Sequence, residues 1–311
     1  NDNGTDDECE QAGAGSHCDI FKQRCTLPLQ ERTVRPIVWY YTQGSDEEYF
    51  EPSELAAHDW DVAMRVAIRS SQYSECERVG GSDCSARFPV YFGQQTDNDD
   101  AVNLALEVDD CRKGRAHTDL GGNEEKCVAL AIEIGTQRGY SAGVINIAQM
   151  PEAVVLCHSP VESSDPIACG FPRLPKSVSA SDCAQAEREQ DPILLDTCRS
   201  ALRVRRGDLR YHQINVIEEP QDPSPWGIYT DAEDPLTGEA VSASINVWAF
   251  VNDIVSQKMV DVVRYIQGEL TTEDITEGTY VKAWAEAASE TGSKGLLPML
   301  TKEQLNKRVH E

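Results

Sequence analysis

Six histidines are the candidate ligands for a catalytic metal in this 311-residue chain, and they are scattered singly along it. A hydrolytic zinc site uses two imidazoles one helical turn apart, so that both reach one ion, with a glutamate beside them as the base. No two of these histidines are four residues apart. The sequence therefore predicts no zinc site of this kind among its own residues. The histidines are His17, His58, His117, His158, His212 and His310.

A second group of candidate ligands is an acidic turn near the middle of the C-terminal half. Its carboxylates are Asp231, Glu233, Asp234 and Glu239. Calcium binds to several carboxylate oxygens at once, although the spacing here differs from that of an EF-hand loop. The alternative is a solvated turn in which the Asp234 side chain accepts hydrogen bonds from its own backbone. The sequence leaves calcium binding and self-capping open.

The eleven cysteines lie beside Gly, Ser and Asp rather than in apolar runs, which is typical of an oxidising compartment. Eight of them form four near pairs, and each pair closes a loop short enough for a bridge to contribute on the order of 3 kcal/mol. The predicted bridges join Cys76 to Cys84, Cys111 to Cys127, Cys157 to Cys169 and Cys183 to Cys198. Cys9, Cys18 and Cys25 remain, so one thiol is left for a partner upstream or on another chain.

The net charge limits the classes of partner. Lys and Arg number 28 against 53 Asp and Glu, and the formal net charge of −25 repels nucleic acid and anionic lipid. We therefore expect no nucleic-acid partner. No apolar run reaches the roughly 18 residues of a membrane span, and together with the cysteines this predicts a secreted, periplasmic or cell-surface protein. Two attachments stay open at the polar N-terminus: a lipid anchor and an intermolecular disulfide.

Apolar patterns predict a strand and a long helix early in the chain. The segment RPIVWYYT is β-branched and aromatic, as in a buried strand. After Pro52, apolar residues recur at helical spacing and predict a helix packed on this strand. These residues are Ala56, Trp60, Ala63, Met64, Ala67 and Ile68. Residues 73–206 alternate polar loops such as QQTDNDD and DDCRKGR with short apolar stretches, and we interpret them as a disulfide-stapled insertion with one core strand at 153–157.

Residues 207–248 have the pattern of a β-hairpin. A strand around His212 is followed by prolines, by the tight turn Asp234 to Gly238, and by a strand whose apolar residues alternate. Beyond it, a helical stripe that ends at Gly268 predicts a core helix. The stripe comprises Val251, Ile254, Val255, Met259, Val262, Val263 and Ile266.

Several long strings in this region resemble secreted bacterial zinc metalloproteases of metzincin type. They are VVLCHSPVESSDPIACG, GDLRYHQIN, PWGIYTDAEDPLTGE and SASINVW. In that family a D-P-x-T-G-E turn and its following strand precede the zinc helix, and the catalytic domain begins with a strand and a long helix. The resemblance implies zinc only if the chain continues beyond Glu311. It also implies a substrate-side edge strand at Ala243, Ser244, Ile245, Asn246 and Val247, which would bind an extended peptide by strand addition.

The sequence as a whole predicts an α+β fold: a mixed sheet with packed helices and a disulfide-stapled insertion, similar to the N-terminal subdomain of a metzincin. Residues 1–30 form a stapled tether, and 31–311 form one domain with the cysteine-rich insertion at about 73–206. Two functions follow. The chain is the N-terminal portion of a secreted zinc metallopeptidase that acts on peptides or proteins, or it is a non-catalytic extracellular binding or structural protein with a protease-derived fold.

Overall fold

The computed structural model describes residues 28–91, 95–218, 225–238 and 240–278, together with the backbone of 18–19 and 24–25. The two-residue strands β1 (Cys18–Asp19) and β2 (Arg24–Cys25) are antiparallel within the predicted tether. Next come β3 (Ile37–Tyr41), α1 (Phe50–Arg78), α2 (Cys84–Arg87), α3 (Gln95–Arg112), α4 (Glu124–Arg138), α5 (Ala142–Gln149) and β4 (Val154–Cys157). They are followed by α6 (Ala180–Glu189), α7 (Pro192–Ser200), β5 (His212–Ile217), β6 (Gly227–Glu233), β7 (Ala240–Trp248), α8 (Ala249–Ile266) and α9 (Thr272–Glu277).

The fold is mixed α/β, with five strands in one mixed sheet in the order β4-β3-β5-β7-β6. Strand β3 is parallel to both of its neighbours, with Ile37 opposite Val154 and Trp39 opposite His212. Helices therefore connect β3 to β4 and β4 to β5, as parallel pairing requires. Strands β6 and β7 are adjacent in sequence and in the sheet, as predicted for the hairpin.

Two compact units divide the chain. One comprises Asn1–Ile214 with Asp231–Ser244, and the other comprises Asn215–Thr230 with Ile245–Glu311. The boundary passes through β5, β6 and β7, so each unit contains part of these strands. Folding of 31–311 as a single domain stays a prediction.

The region that the sequence suggested to be a looped insertion is mainly helical. QQTDNDD leads into α3, and the apolar stretches CVALAIEIG and GVINIA lie in α4 and α5. Acidic residues such as Asp97 fall in the first turn of α3, where they interact favourably with the helix dipole, so a polar run here begins a helix. The three helices share a core with Leu104, Val108, Val144 and Ile147 at its centre.

Helix α1 forms as predicted, but it buries a different face from the predicted one. Trp60 is 65% exposed and Met64 is 37% exposed, whereas Asp61, Val62 and Arg65 are buried. The apolar spacing identified the helix correctly. It failed to identify the buried face because the charged residues on that face are paired with one another inside the protein.

Helix α8 also differs from its prediction as a core helix. Ala249 and Asp261 are its buried residues, while Met259 is 66% exposed and Ile266 is 75% exposed. Most of the predicted stripe therefore faces away from the described part of the chain. The hydrophobic pattern was real, but no segment among the described residues covers it.

All four predicted cysteine pairs are at disulfide distance, with Cα atoms 5.7 to 5.8 Å apart. Each bridge joins cysteines that are close in sequence, and all eight cysteines are buried. The bridge between Cys157 and Cys169 holds the loop that leaves β4 at the end of the parallel strands.

Candidate functional site

The exposed edge of the sheet is β6, and β7 is an interior strand. Strand β7 lies between β5 and β6, so Ala243, Ser244, Ile245, Asn246 and Val247 do not form the edge strand that was predicted. The sequence identified the hairpin but could not show which of its strands pairs with β5. Strand β6 is exposed along its length except at the half-buried Ala232. A strand at the edge of a sheet has a row of backbone N–H and C=O groups on its outer side, with which an extended segment of another chain can pair.

Side-chain hydrogen bonds fix part of this hairpin. Asn215, which is buried on β5, donates to Oδ1 of Asn246 on β7 over 2.9 Å. The Asn246 side chain in turn donates to the backbone carbonyl of Ile228 on β6 over 3.5 Å. At the start of β6, the Trp226 indole donates to Asn252 of α8. These contacts position the first half of the exposed strand.

The acidic turn has the geometry of a self-capped reversal. Oδ1 of Asp234 accepts a hydrogen bond from the backbone N–H of Leu236 over 2.8 Å, and Gly238 N–H donates to the Asp234 carbonyl over 2.7 Å. Among the described residues, Asp231, Glu233 and Asp234 do not bring three ligand atoms together at metal-binding distance. Glu239 lies outside the described residues. Calcium binding at this turn stays a prediction.

One cluster does place a histidine and two carboxylates close together, at His58, Asp61 and Asp109. The fully buried Arg65 guanidinium occupies it, because it pairs with Asp61 and lies 2.5 Å from Oδ2 of Asp109. Burial alone would lower the pKa of Arg65, but the two carboxylates raise it, so the side chain is a permanent cation. A metal ion does not fit beside it, since two cations would share the same carboxylates.

The arginine cluster has a structural role that its other contacts explain. Oδ1 of Asp61 accepts hydrogen bonds from the backbone N–H groups of Ala153 and Val154, at 2.5 and 2.9 Å. Arg65 also donates to the carbonyl of Met150 over 3.0 Å. The cluster therefore joins α1 to the start of β4. The catalytic zinc that the resemblance implies has no place here, and no reaction step follows from these residues.

A second histidine cluster lies at the carboxyl end of β4, where loops of parallel sheets commonly bind ligands. His158 follows the last residue of the strand, and its Nδ1 lies 2.7 Å from Oδ1 of the buried Asp165. Oδ2 of Asp165 accepts from the backbone N–H groups of His158 and Glu162. Phe50 stacks on the imidazole with ring centroids 3.5 Å apart. The ring is thus held on one edge and on one face.

The other edge of the His158 ring faces carboxylates. Oε1 of Glu162 lies 4.0 Å from Nε2 of His158. Burial alone would lower the pKa of His158, but the hydrogen bond to Asp165 and the charges of Asp165, Glu162 and Glu47 raise it. Burial raises the pKa of Glu47, and the nearby His158 offsets this only in part.

A cavity of about 350 Å³ opens beside this cluster. Its lining residues are Glu47, Glu48, Phe50, Glu51, His158, Glu162 and Ser181. The histidine spacing in the sequence did not single out this group, because it contains one histidine and several carboxylates and no histidine pair. The available signal was a histidine directly after a buried strand, in CHSPVESSD, with a glutamate four residues and an aspartate seven residues later.

No protein-family model, curated protein or solved structure shows a match to this chain. Among the described residues, no helix is long and apolar enough to cross a membrane. The four disulfide pairs are compatible with an extracellular protein.

Proposed function

We propose that this chain is the N-terminal, substrate-binding portion of a secreted zinc metallopeptidase of metzincin type, with the zinc-binding histidines beyond Glu311. The observation that carries the proposal is the exposed edge strand β6, at the end of the sheet order β4-β3-β5-β7-β6. An extended peptide can pair with such a strand through main-chain hydrogen bonds, without a specific side-chain sequence.

The order of the elements also supports the proposal. The first α-helix after strand β3 is the 29-residue α1, and this order is what the resemblance implies for a metzincin-like catalytic domain. The strings that carry the resemblance cover β4, β5 and the β6–β7 hairpin, which are four strands of one sheet. The likeness therefore falls on strands that belong to one sheet.

The chain's own residues supply binding and not bond cleavage in this proposal. Histidines at helical spacing are absent from the sequence, so peptide hydrolysis requires residues outside it. In this proposal the strand that pairs with the substrate is β6 and not β7, which the sequence predicted. Strand β7 supports it from the interior of the sheet, with Asn246 contacting the Ile228 carbonyl.

The first experiment compares this 311-residue chain with the full natural gene product. We expect the longer protein to contain one tightly bound zinc and to cleave an unfolded protein substrate. The 311-residue chain should bind the same substrate without cleaving it. A natural protein that ends at Glu311 by mass spectrometry, and that shows no peptidase activity, would contradict the enzyme proposal.

The second experiment tests β6 itself by proline substitution at Tyr229 and Thr230. Successive N–H groups of a strand point to opposite sides, so one of the two prolines removes a donor at the open edge and the other removes a donor to β7. The edge variant should lose peptide binding at an unchanged melting temperature, while the other should lower the melting temperature. Leu236→Ala, at a turn residue that is 89% exposed, is the matched control. Normal peptide binding by both proline variants would exclude strand addition at β6.

A non-catalytic binding or structural protein is the second candidate. The exposed apolar side of α8, which includes Ile254, Met259 and Ile266, favours it because an exposed apolar patch commonly marks a contact with another chain. Light scattering after size exclusion should then show a stable assembly that Met259→Glu dissociates. A 311-residue chain that is monomeric at every concentration, together with a full natural gene product that has no peptidase activity, would leave neither candidate supported.

A further inference from the structure

Helix α8 has an apolar stripe along one side. The residues of the stripe follow one another at intervals of four, four, three and four positions, which places them on one face of a helix. They are Val251, Val255, Met259, Val262 and Ile266. Met259, Val262 and Ile266 are exposed, so the uncovered part of the stripe is the C-terminal half of α8. The opposite side of the helix is polar, and Gln257 donates there to Oδ1 of the buried Asp261 over 2.9 Å.

The turn after α8 keeps the following chain close to the end of this helix. Gly268 has φ +78°, a left-handed conformation that ends the helix, and Leu270 just beyond it is buried. The hydroxyl of Tyr265 lies 3.1 Å from Oγ1 of Thr272, so α9 begins beside the last turn of α8. Helix α9 has six residues, a length of about 9 Å, and ends at Gly278 with φ +65°. The chain beyond Gly278 therefore starts near the exposed half of α8.

The sequence that follows Gly278 has a complementary pattern. Residues 279–311 lie outside the described residues, and they begin with TYVKAWAEAASE. Apolar residues recur in this string at helical spacing, which predicts an amphipathic helix over 280–288, with Lys282 and Glu286 on its polar side. Such a helix is about 14 Å long, and the exposed half of α8 is about 12 Å long. The predicted apolar side comprises Tyr280, Val281, Trp284, Ala287 and Ala288.

We propose that residues 280–288 form a helix that covers the exposed stripe of α8, with Trp284 packed near Met259 and Ile266. The small alanines on the same side let two helices approach closely, and a methionine thioether packs favourably against an aromatic ring. A short connection gives the segment an effective concentration of about millimolar at α8. The contact within one chain therefore forms before a contact with a second copy at lower protein concentration.

This inference goes beyond the peptidase function and does not depend on peptide binding at β6. It assigns a different occupant to the α8 face from the one in the second candidate function, where another chain covers it. The two occupants make different predictions for the monomer. Within one chain, α8 is protected at every protein concentration, whereas a second copy protects it only in an assembly.

The test is hydrogen exchange of the 311-residue chain, measured by mass spectrometry on samples that light scattering shows to be monomeric. Trp284→Glu places a charge at the apolar contact, where its burial is costly. We expect the amide protection of residues 259–266 to fall at least about tenfold in this variant. Glu286→Lys is the matched control: it changes a charge on the predicted polar side, and protection should change by less than about twofold.

A second variant tests the contact from the other helix. Met259→Glu changes α8 at a position that is exposed to the described part of the chain, and it should lower the protection of 280–288 by a similar factor. Combining Met259→Lys with Trp284→Glu places opposite charges at the same contact. This pair should recover part of the protection that Trp284→Glu removes.

The outcomes separate the possible occupants of the α8 face. Unprotected residues 259–266 in the parent monomer would overturn the proposal, as would protection that stays unchanged in folded Trp284→Glu and Met259→Glu. Protection that appears only as the protein concentration rises, in an assembly that Met259→Glu dissociates, would also overturn it and would identify a second copy as the partner. Zinc content and peptidase activity of the longer protein are measured separately, so failure of this contact and failure of the peptidase function are distinguishable.

Discussion

Arg65 provides the sharpest test of how the buried charges hold this fold together. Arg65→Met removes the cation that α1 places between Asp61 and Asp109, while retaining most of the buried volume. The two carboxylates are affected differently. Asp109 keeps an ion pair with Arg112 at 2.6 Å, whereas Asp61 keeps only the N–H groups of Ala153 and Val154. The cost should therefore come mainly from Asp61.

The magnitude follows from the energetics of breaking a buried ion pair. Removing one partner typically costs about 3 to 5 kcal/mol, because a buried charge is left uncompensated. Adding Asp61→Asn to Arg65→Met removes that charge and keeps Oδ1 as the acceptor for Ala153 and Val154. We expect the second change to restore about 1 to 3 kcal/mol of what the first one removed, so the two effects are strongly non-additive.

The assay is urea unfolding at pH 7, followed by circular dichroism with the disulfides intact. It compares the parent protein, the single variants and the double variant. Two results would refute the reasoning: a loss below about 1 kcal/mol in Arg65→Met, or a double variant that is less stable than Arg65→Met alone.

Three further predictions concern the turn and the acidic residues. Gly238 has φ +70° with open space around it, so Gly238→Val should lower the free energy of unfolding by about 1 to 3 kcal/mol through backbone strain alone. Equal stability of Gly238→Val and Leu236→Ala in urea would show that the turn tolerates a side chain at this position. Burial raises the pKa of Glu152 to about 7, so the folded protein binds the Glu152 proton more tightly than the unfolded chain does. The stability that this proton contributes is fully present below the unfolded-state pKa and is lost as the pH rises through about 7. Between pH 5 and pH 8 the free energy of unfolding of Glu152→Gln should therefore rise by about 1 to 3 kcal/mol relative to the parent, reduced by the loss of the ion pair between Lys113 and Glu152. A difference in stability that does not change with pH would contradict this. If the acidic turn binds calcium, added calcium should raise the melting temperature of the parent but not of an Asp231→Asn, Asp234→Asn double variant; no shift in the parent would favour the self-capped turn.

The sequence was most informative where the determining interactions are local. The β-branched run at β3, the helical spacing of α1 and the turn between β6 and β7 each depend on neighbouring residues, and all three elements are present. The four cysteine pairs also follow from short spacing. Local chemistry was therefore sufficient for these features.

The sequence was least informative where a partner distant in the chain decides the outcome. The buried face of α1 could not be predicted because Arg65 is matched by Asp109, which lies 44 residues later. The acidic run at the start of α3 has the composition of a loop, and only the structure shows that it forms the first turn of a helix. The His158 cluster needed the fold as well, since Phe50 and Glu47 reach it from more than 100 positions earlier.

The four bridges have a consequence for how the chain reaches its oxidised form. Their cysteines are separated by 8, 16, 12 and 15 positions, and each cysteine is joined to the next one along the described chain. If the chain were exported through a translocation pore into an oxidising compartment, each bridge could close once its second cysteine had passed. Among these eight cysteines, the native pairing would then also be the first pairing available. Export at a steady rate would yield these bridges in order, with little need for an isomerase to rearrange them.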